Sequence, residues 1–112
     1  MNEIIDAIKK RRSTKRFKSD AVPKEIIDCV IDAGLCAANA QGKQVPVVVA
    51  VTDKKLRDRL SEMNRKVGGW EEGFDPFYGA PVVLIVLADK NWPNRVYDGS
   101  LVIGNMMLAA HA

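Results

Sequence analysis

From Asp98 onward the chain carries Leu101, Val102, Ile103, Met106, Met107, Leu108 and Ala109 without a single charged residue. A helix that is apolar on nearly every side cannot face water, so this one is expected to be central and buried, with Asp98 as its N-cap. Gly104 weakens a helix interior and predicts close approach by another backbone. The run reaches His111 and Ala112 with no glycine cap and no following element to cover it. The expectation is therefore a sequence truncated after its central helix, the portion of a longer protein, with a second copy covering the apolar surface.

The remaining pattern alternates helices with short strands. Ile4, Ile5 and Ile8 give a first helix over 3–12, and Ser13 to Ala21 carries no helical stripe. Pro23 is expected as the first residue of a second helix ending near Cys36, its wide face of Ile26, Ile27, Val30, Ile31 and Leu35 largely buried. Ala37 to Lys43 reads as a loop. Val47–Val51 and Val82–Leu87, opened by Pro46 and Pro81, read as strands covered on both faces. Between them Thr52 and Asp53 offer a cap for a third helix, with Leu56, Leu60 and Met63 inward, Lys54, Arg57, Asp58 and Glu62 outward, and Gly68-Gly69 as its end. Two such strands need more sheet beside them. With 112 residues there is room for one core, so 1–112 is read as part of a single α+β domain, a mixed sheet flanked by helices.

A hydrophobic content of 47% with 28% charged residues is ordinary for a soluble protein, and no apolar run has membrane-spanning length. Residues 1–12 lack the apolar stretch of a secretory signal, which makes a cytoplasmic setting the default. Cys29 and Cys36, seven apart on the second helix, are too distant for a disulfide and are expected to pack in the core beside Ile26 and Ala33. His111 is the only histidine, so neither a metal set nor a hydrolytic triad can be assembled.

Charge is where the sequence is most uneven. The net value is +3, yet residues 1–18 hold seven basic residues against Glu3 and Asp6, a local +5 that leaves −2 for the remainder. Such a concentration calls for an anionic partner at this segment. G-x-G-x-x-G, P-loop and H-E-x-x-H motifs are all missing from the sequence. What stands out is Arg11-Arg12-Ser13-Thr14-Lys15-Arg16-Phe17 directly after a helix. If Ser13 to Lys15 is extended, Ser13 and Lys15 point the same way and, with Arg11, place a hydroxyl among cations suited to phosphate. A solvated charged face or a nucleic-acid contact accounts for the same composition, although Phe17 alone makes no stacking platform.

Taken in order, several segments resemble the nitroreductase family of flavoproteins. They are Lys10 to Phe17, Val22-Pro23 opening a helix, Ala37 to Gln44, Asp75-Pro76-Phe77-Tyr78-Gly79-Ala80-Pro81, Tyr97-Asp98-Gly99-Ser100, and Asn105-Met106-Met107-Leu108-Ala109-Ala110. Their spacing is more specific than any one of them. The resemblance implies a nitroreductase-like α+β fold, a homodimer and FMN at the dimer interface. It matches Arg11, Arg12 and Ser13 to phosphate and ribityl contacts and Lys15 to the cation near the pyrimidine edge of the ring. In the loop after the second helix Gln44 matches the family's Gln, Gly42 stands where Asn is usual, and Asn39 is placed to supply the missing amide. Trp70, Phe74, Phe77 and Tyr78 could line a substrate entrance, or pack in a core or dimer contact.

The resemblance further implies that NAD(P)H reduces the flavin, which then reduces a nitroaromatic, quinone or similar acceptor. No protein acid, base or nucleophile is required, because the flavin N5 carries the chemistry. The rival class is a basic binding module for nucleic acid or an acidic partner, without redox activity. On the flavoprotein reading no nucleic acid and no membrane is a partner.

Overall fold

The computed structural model describes residues 2–112. Its elements run α1 (Glu3–Lys10), α2 (Lys24–Leu35), a 3-10 turn (Ala40–Gly42), β1 (Val47–Val51), α3 (Lys54–Gly68), β2 (Val83–Leu87) and α4 (Arg95–His111), an α+β arrangement in which β1 pairs with β2. The chain divides into two units. One comprises α1 to Arg12, Pro23–Val49 and Val86–Ala112; the other comprises Ser13–Val22 and Ala50–Ile85.

In the first unit α4 packs on α2 and, over a shorter length, on α1. The α2–α4 contact is close because Gly34 has no side chain. A Cβ there would lie 2.5 Å from Met106 Cγ and 3.3 Å from Val102 Cγ1. Asn105 Nδ2 donates to the Ala33 carbonyl at 3.0 Å beside this contact. Ile27, Gly34, Val102 and Met106 are its buried residues. The close approach expected at Gly104 thus lies at Gly34 instead, and a Cβ at Gly104 would meet nothing within 4 Å.

The buried stripe of α2 is narrower than its apolar composition predicts. Cys29 and Cys36 are exposed rather than in the core, and Ile26 is 54% exposed. Two residues beyond Ile27 a side chain points about 200° round the helix, so Cys29 faces away from α4. Pro23 is the residue before α2 rather than its first, and α1 ends at Lys10, with the Arg11 N–H still donating to Ala7. α4 begins at Arg95 with Asn94 at its cap, so Asp98 is not the N-cap but a buried first-turn residue.

The second unit is built on α3. Its N-terminus is capped as the sequence implies, Asp53 Oδ2 accepting from the Leu56 N–H at 2.9 Å. Gly69 ends it in the left-handed conformation at φ 73°, where a residue without Cβ is favoured. The inward face, however, is rotated from the expected one. Arg57 and Ser61 are buried, while Leu56 and Met63 are exposed. Arg57 can be taken inward because partners wait for it, and its Nε donates to the Ala80 carbonyl at 2.8 Å. Both strands lie where expected, β2 starting one residue later, but neither is covered on both faces. Val51 is the buried residue of β1, and Leu87 in β2 is exposed.

Gly34→Val should cost about 1–3 kcal/mol, because the added carbons must displace Met106 and Val102 in a close contact. Urea denaturation checks this, with a lowered midpoint and an unchanged slope expected.

Candidate functional site

Beyond α1 the chain leaves the helix at once, Arg11 adopting φ −56° and ψ 138°. Arg12 folds back, its Nη1 donating to the Lys9 carbonyl at 2.7 Å and the Arg11 carbonyl at 2.9 Å. Two such bonds fix one edge of the guanidinium and leave its other nitrogens for a ligand. Ser13 and Lys15 follow in a stretch without regular structure, and both are exposed. Among the described residues none of Arg11, Arg12 and Lys15 enters an ion pair. Lys15 Nζ instead stands 5.9 Å from the centre of the Tyr78 ring.

Asn39 and Gln44 are brought together in the first unit. The Gln44 N–H donates to Asn39 Oδ1 at 2.8 Å, and Asn39 Nδ2 reaches the Ala37 carbonyl at 3.4 Å. The Asn39 amide therefore braces its own loop. Gln41, Gly42 and Gln44 all have positive φ, 58°, 65° and 48°. Position 42 is thus one where glycine or asparagine is the favoured residue, a physical reason for Gly42 to stand where Asn is usual. Asn39 and Gln44 line a cavity of about 250 Å³ with Ala37, Pro46, Val48 and Val102.

The loop is anchored by a residue that reading the sequence assigned to a helix cap. The Asp98 carboxylate, 3% exposed, accepts from the Ala40 N–H at 3.0 Å and from Trp92 Nε1 at 2.8 Å. It joins the loop after α2 to the first turn of α4.

A second carboxylate organises the other unit. Asp75 accepts from Arg57 Nη2, from Ser61 Oγ at 2.7 Å, and from the N–H groups of Phe77 at 3.0 Å and Gly79 at 2.7 Å. Burial alone would raise its pKa, but the bonds from Arg57, Ser61, Phe77 and Gly79 outweigh that and hold the carboxyl well below the usual carboxylate range. The aromatic residues of this region pack on one another, Trp70 on Phe74 at 5.5 Å and Phe74 edge-on to Tyr78 at 5.8 Å, while the Arg57 guanidinium lies 5.5 Å from the Phe77 ring. Sequence reading missed Arg57 and Ser61 because a polar pair on a helix reads as its outer face. The signal for Asp75 was present in Asp75-Pro76-Phe77-Tyr78-Gly79, where an aspartate ahead of a turn caps the N–H groups that follow.

The class of fold is that of the nitroreductases. A nitroreductase with bound FMN from Bacteroides fragilis NCTC 9343 superposes with a TM-score of 0.90 at 24% identity, over 99% of this chain and 65% of its own. An FMN-dependent nitroreductase from Clostridium difficile R20291 does so at 0.83 and 29% identity, over 97% of this chain and 55% of its own. The model of the nitroreductase family matches residues 8–112, and the chain belongs to that family. The FMN reductase [NAD(P)H] of Bacillus subtilis strain 168 is 31% identical over 91 residues, 81% of this chain and 34% of that protein. The chain thus spans from about a quarter to a little over half the length of the curated relatives it matches. Among the described residues no helix is long and apolar enough to cross a membrane, and no His, Cys, Asp and Glu group could hold a metal ion.

Two outcomes follow from the carboxylates. Asp98→Ala, which strands two half-buried donors, should cost about 1–3 kcal/mol in denaturant titration. For Asp75 the folded pKa lies below that of a free aspartate, so its contribution is present above the free value and lost as pH falls through the folded one. Asp75→Asn should therefore be less stable at neutral pH and show a flatter acid limb below about pH 5 in pH-dependent thermal melts.

Proposed function

We propose that this chain is the FMN-binding N-terminal portion of an oxidoreductase that passes electrons from NAD(P)H through the flavin to a nitroaromatic, quinone or similar acceptor. The observation that carries the reading is the family match over residues 8–112, which includes the basic cluster and the Asn39–Gln44 loop. The names of the Clostridium and Bacillus relatives point to the same cofactor. The donor set fits FMN. Arg11, Arg12, Ser13 and Lys15 offer cations and a hydroxyl, and among the described residues no carboxylate pairs with these cations, which is what a phosphate monoester requires.

In this reading Arg11, Arg12 and Ser13 hold the phosphate and ribityl chain, Lys15 lies near the pyrimidine edge of the ring, and Asn39 and Gln44 contribute amides from the braced loop. When bound, FMN supplies the electron transfer at its N5, and solvent supplies the proton. The chain's own residues are left with binding, orientation and electronic tuning, in keeping with the lack of an acid–base pair. Residues 1–112 form part of one domain, and the assembly is a cytoplasmic homodimer.

Arg11 and Lys15 should fail differently. The phosphate contact of Arg11 is the same for oxidised and reduced flavin, so Arg11→Ala should weaken FMN binding about ten- to a hundredfold with the potential nearly fixed. The Lys15 ammonium favours the flavin that has gained negative charge, so Lys15→Met should lower the potential by tens of millivolts, about 30 mV per 1.4 kcal/mol for two electrons. Fluorescence titration and spectroelectrochemistry separate the two. A protein that takes up no flavin and binds DNA with steep salt dependence would replace this reading with that of a basic binding module.

A further inference from the structure

Lys15 lies in a stretch, Ser13–Val22, that forms no helix or strand, and its ammonium has no carboxylate partner among the described residues. A lysine side chain on such a backbone samples many rotamers, and a charge that must act in one direction needs something to hold it. The Tyr78 ring is what the structure places there, 5.9 Å from Nζ and within the range of a cation–π contact.

Tyr78 is itself held in an unusual way. Its φ is 52°, a left-handed conformation that residues with a Cβ adopt when surroundings enforce it. The enforcing group is Asp75. Its carboxylate accepts from the N–H before Tyr78, that of Phe77 at 3.0 Å, and from the N–H after it, that of Gly79 at 2.7 Å. The Asp75 main-chain carbonyl accepts from the Tyr78 N–H at 3.0 Å. Buried Arg57 and Ser61 fix the carboxylate from α3, and Phe74 packs edge-on against the Tyr78 ring. The turn is gripped on both sides of one strained residue, and that residue's ring faces the free cation.

We propose that Tyr78 is the positioning residue for the Lys15 ammonium, and that Asp75, anchored by Arg57 and Ser61, sets Tyr78 in place. The role of Lys15 toward the flavin rests on the function proposed above. Its placement on Tyr78 does not. The ring face and not the hydroxyl attracts the cation, so phenylalanine should serve and leucine should not.

NMR of the full chain without added flavin tests the placement directly. The Lys15 ε-methylene protons should be shifted upfield by the ring current, the shift should vanish in Tyr78→Leu and persist in Tyr78→Phe, and it should shrink in Asp75→Asn. Ser61→Ala, which removes a single partner of Asp75, serves as the milder variant should Asp75→Asn lose its structure. Lys15 protons at random-coil positions, or unmoved by Tyr78→Leu, would overturn the proposal, and a shift untouched by either carboxylate-network variant would overturn the part assigned to Asp75. With FMN added, Tyr78→Leu should move the flavin potential in the direction of Lys15→Met, and the double variant should move it no further than Lys15→Met alone. Additive shifts would mean that Tyr78 acts on its own and not through Lys15. Failure to bind FMN would remove the flavin reading while leaving the NMR result to decide the placement.

Discussion

The Asp75 carboxylate is the interaction on which the second unit's loop depends. Between the end of α3 and the start of β2 the chain has no regular structure, so its N–H groups need partners other than a ladder. One carboxylate supplies two of them and at the same time compensates the buried Arg57 guanidinium. A buried arginine left alone would be strongly destabilising, and partial burial alone would raise the pKa of the carboxyl. Each makes the other tolerable, and the loop's conformation is fixed by the geometry of their pairing.

Asp98 performs a related task in the first unit with neutral donors. Its partners are a backbone N–H 58 residues away and an indole N–H six residues away. The loop so anchored contains three residues with positive φ, Gln41, Gly42 and Gln44, which a free loop would not keep. In each unit a carboxylate, buried at Asp98 and half-buried at Asp75, fixes a segment outside the α-helices and strands, and the one that Asp98 holds carries Asn39 and Gln44. Precision at these positions comes from side-chain acceptors gathering backbone donors.

The positions of the helices and strands were legible from apolar periodicity, as the placement of β1 over Val47–Val51 and the Asp53 cap of α3 illustrate. The orientation of each helix was less so. Periodicity records where apolar residues lie and says nothing of a polar residue that finds partners inside, so Arg57 read as outward until Asp75 and Ala80 were placed beside it. Asp98 failed for a similar reason. An aspartate ahead of an apolar helix resembles a cap, and its Ala40 partner lies too far along the sequence to be read locally. Of the candidate site, the Arg11–Lys15 cluster was visible as a charge anomaly, whereas the bracing of Asn39 against Gln44 required the turn itself.

The burial of α4 shows where composition encodes more than the described residues contain. Asp98, Gly99, Val102 and Met106 form one stripe, spaced by about a helical turn, and α2 covers part of it through Gly34. Leu101, Ile103 and Met107 lie off the stripe and are exposed, Met107 to 47%. A solvent-facing helix would carry charge at those positions, and this one carries none between Asp98 and His111. The helix is thus written for burial on more than one side, while the described residues bury it on one.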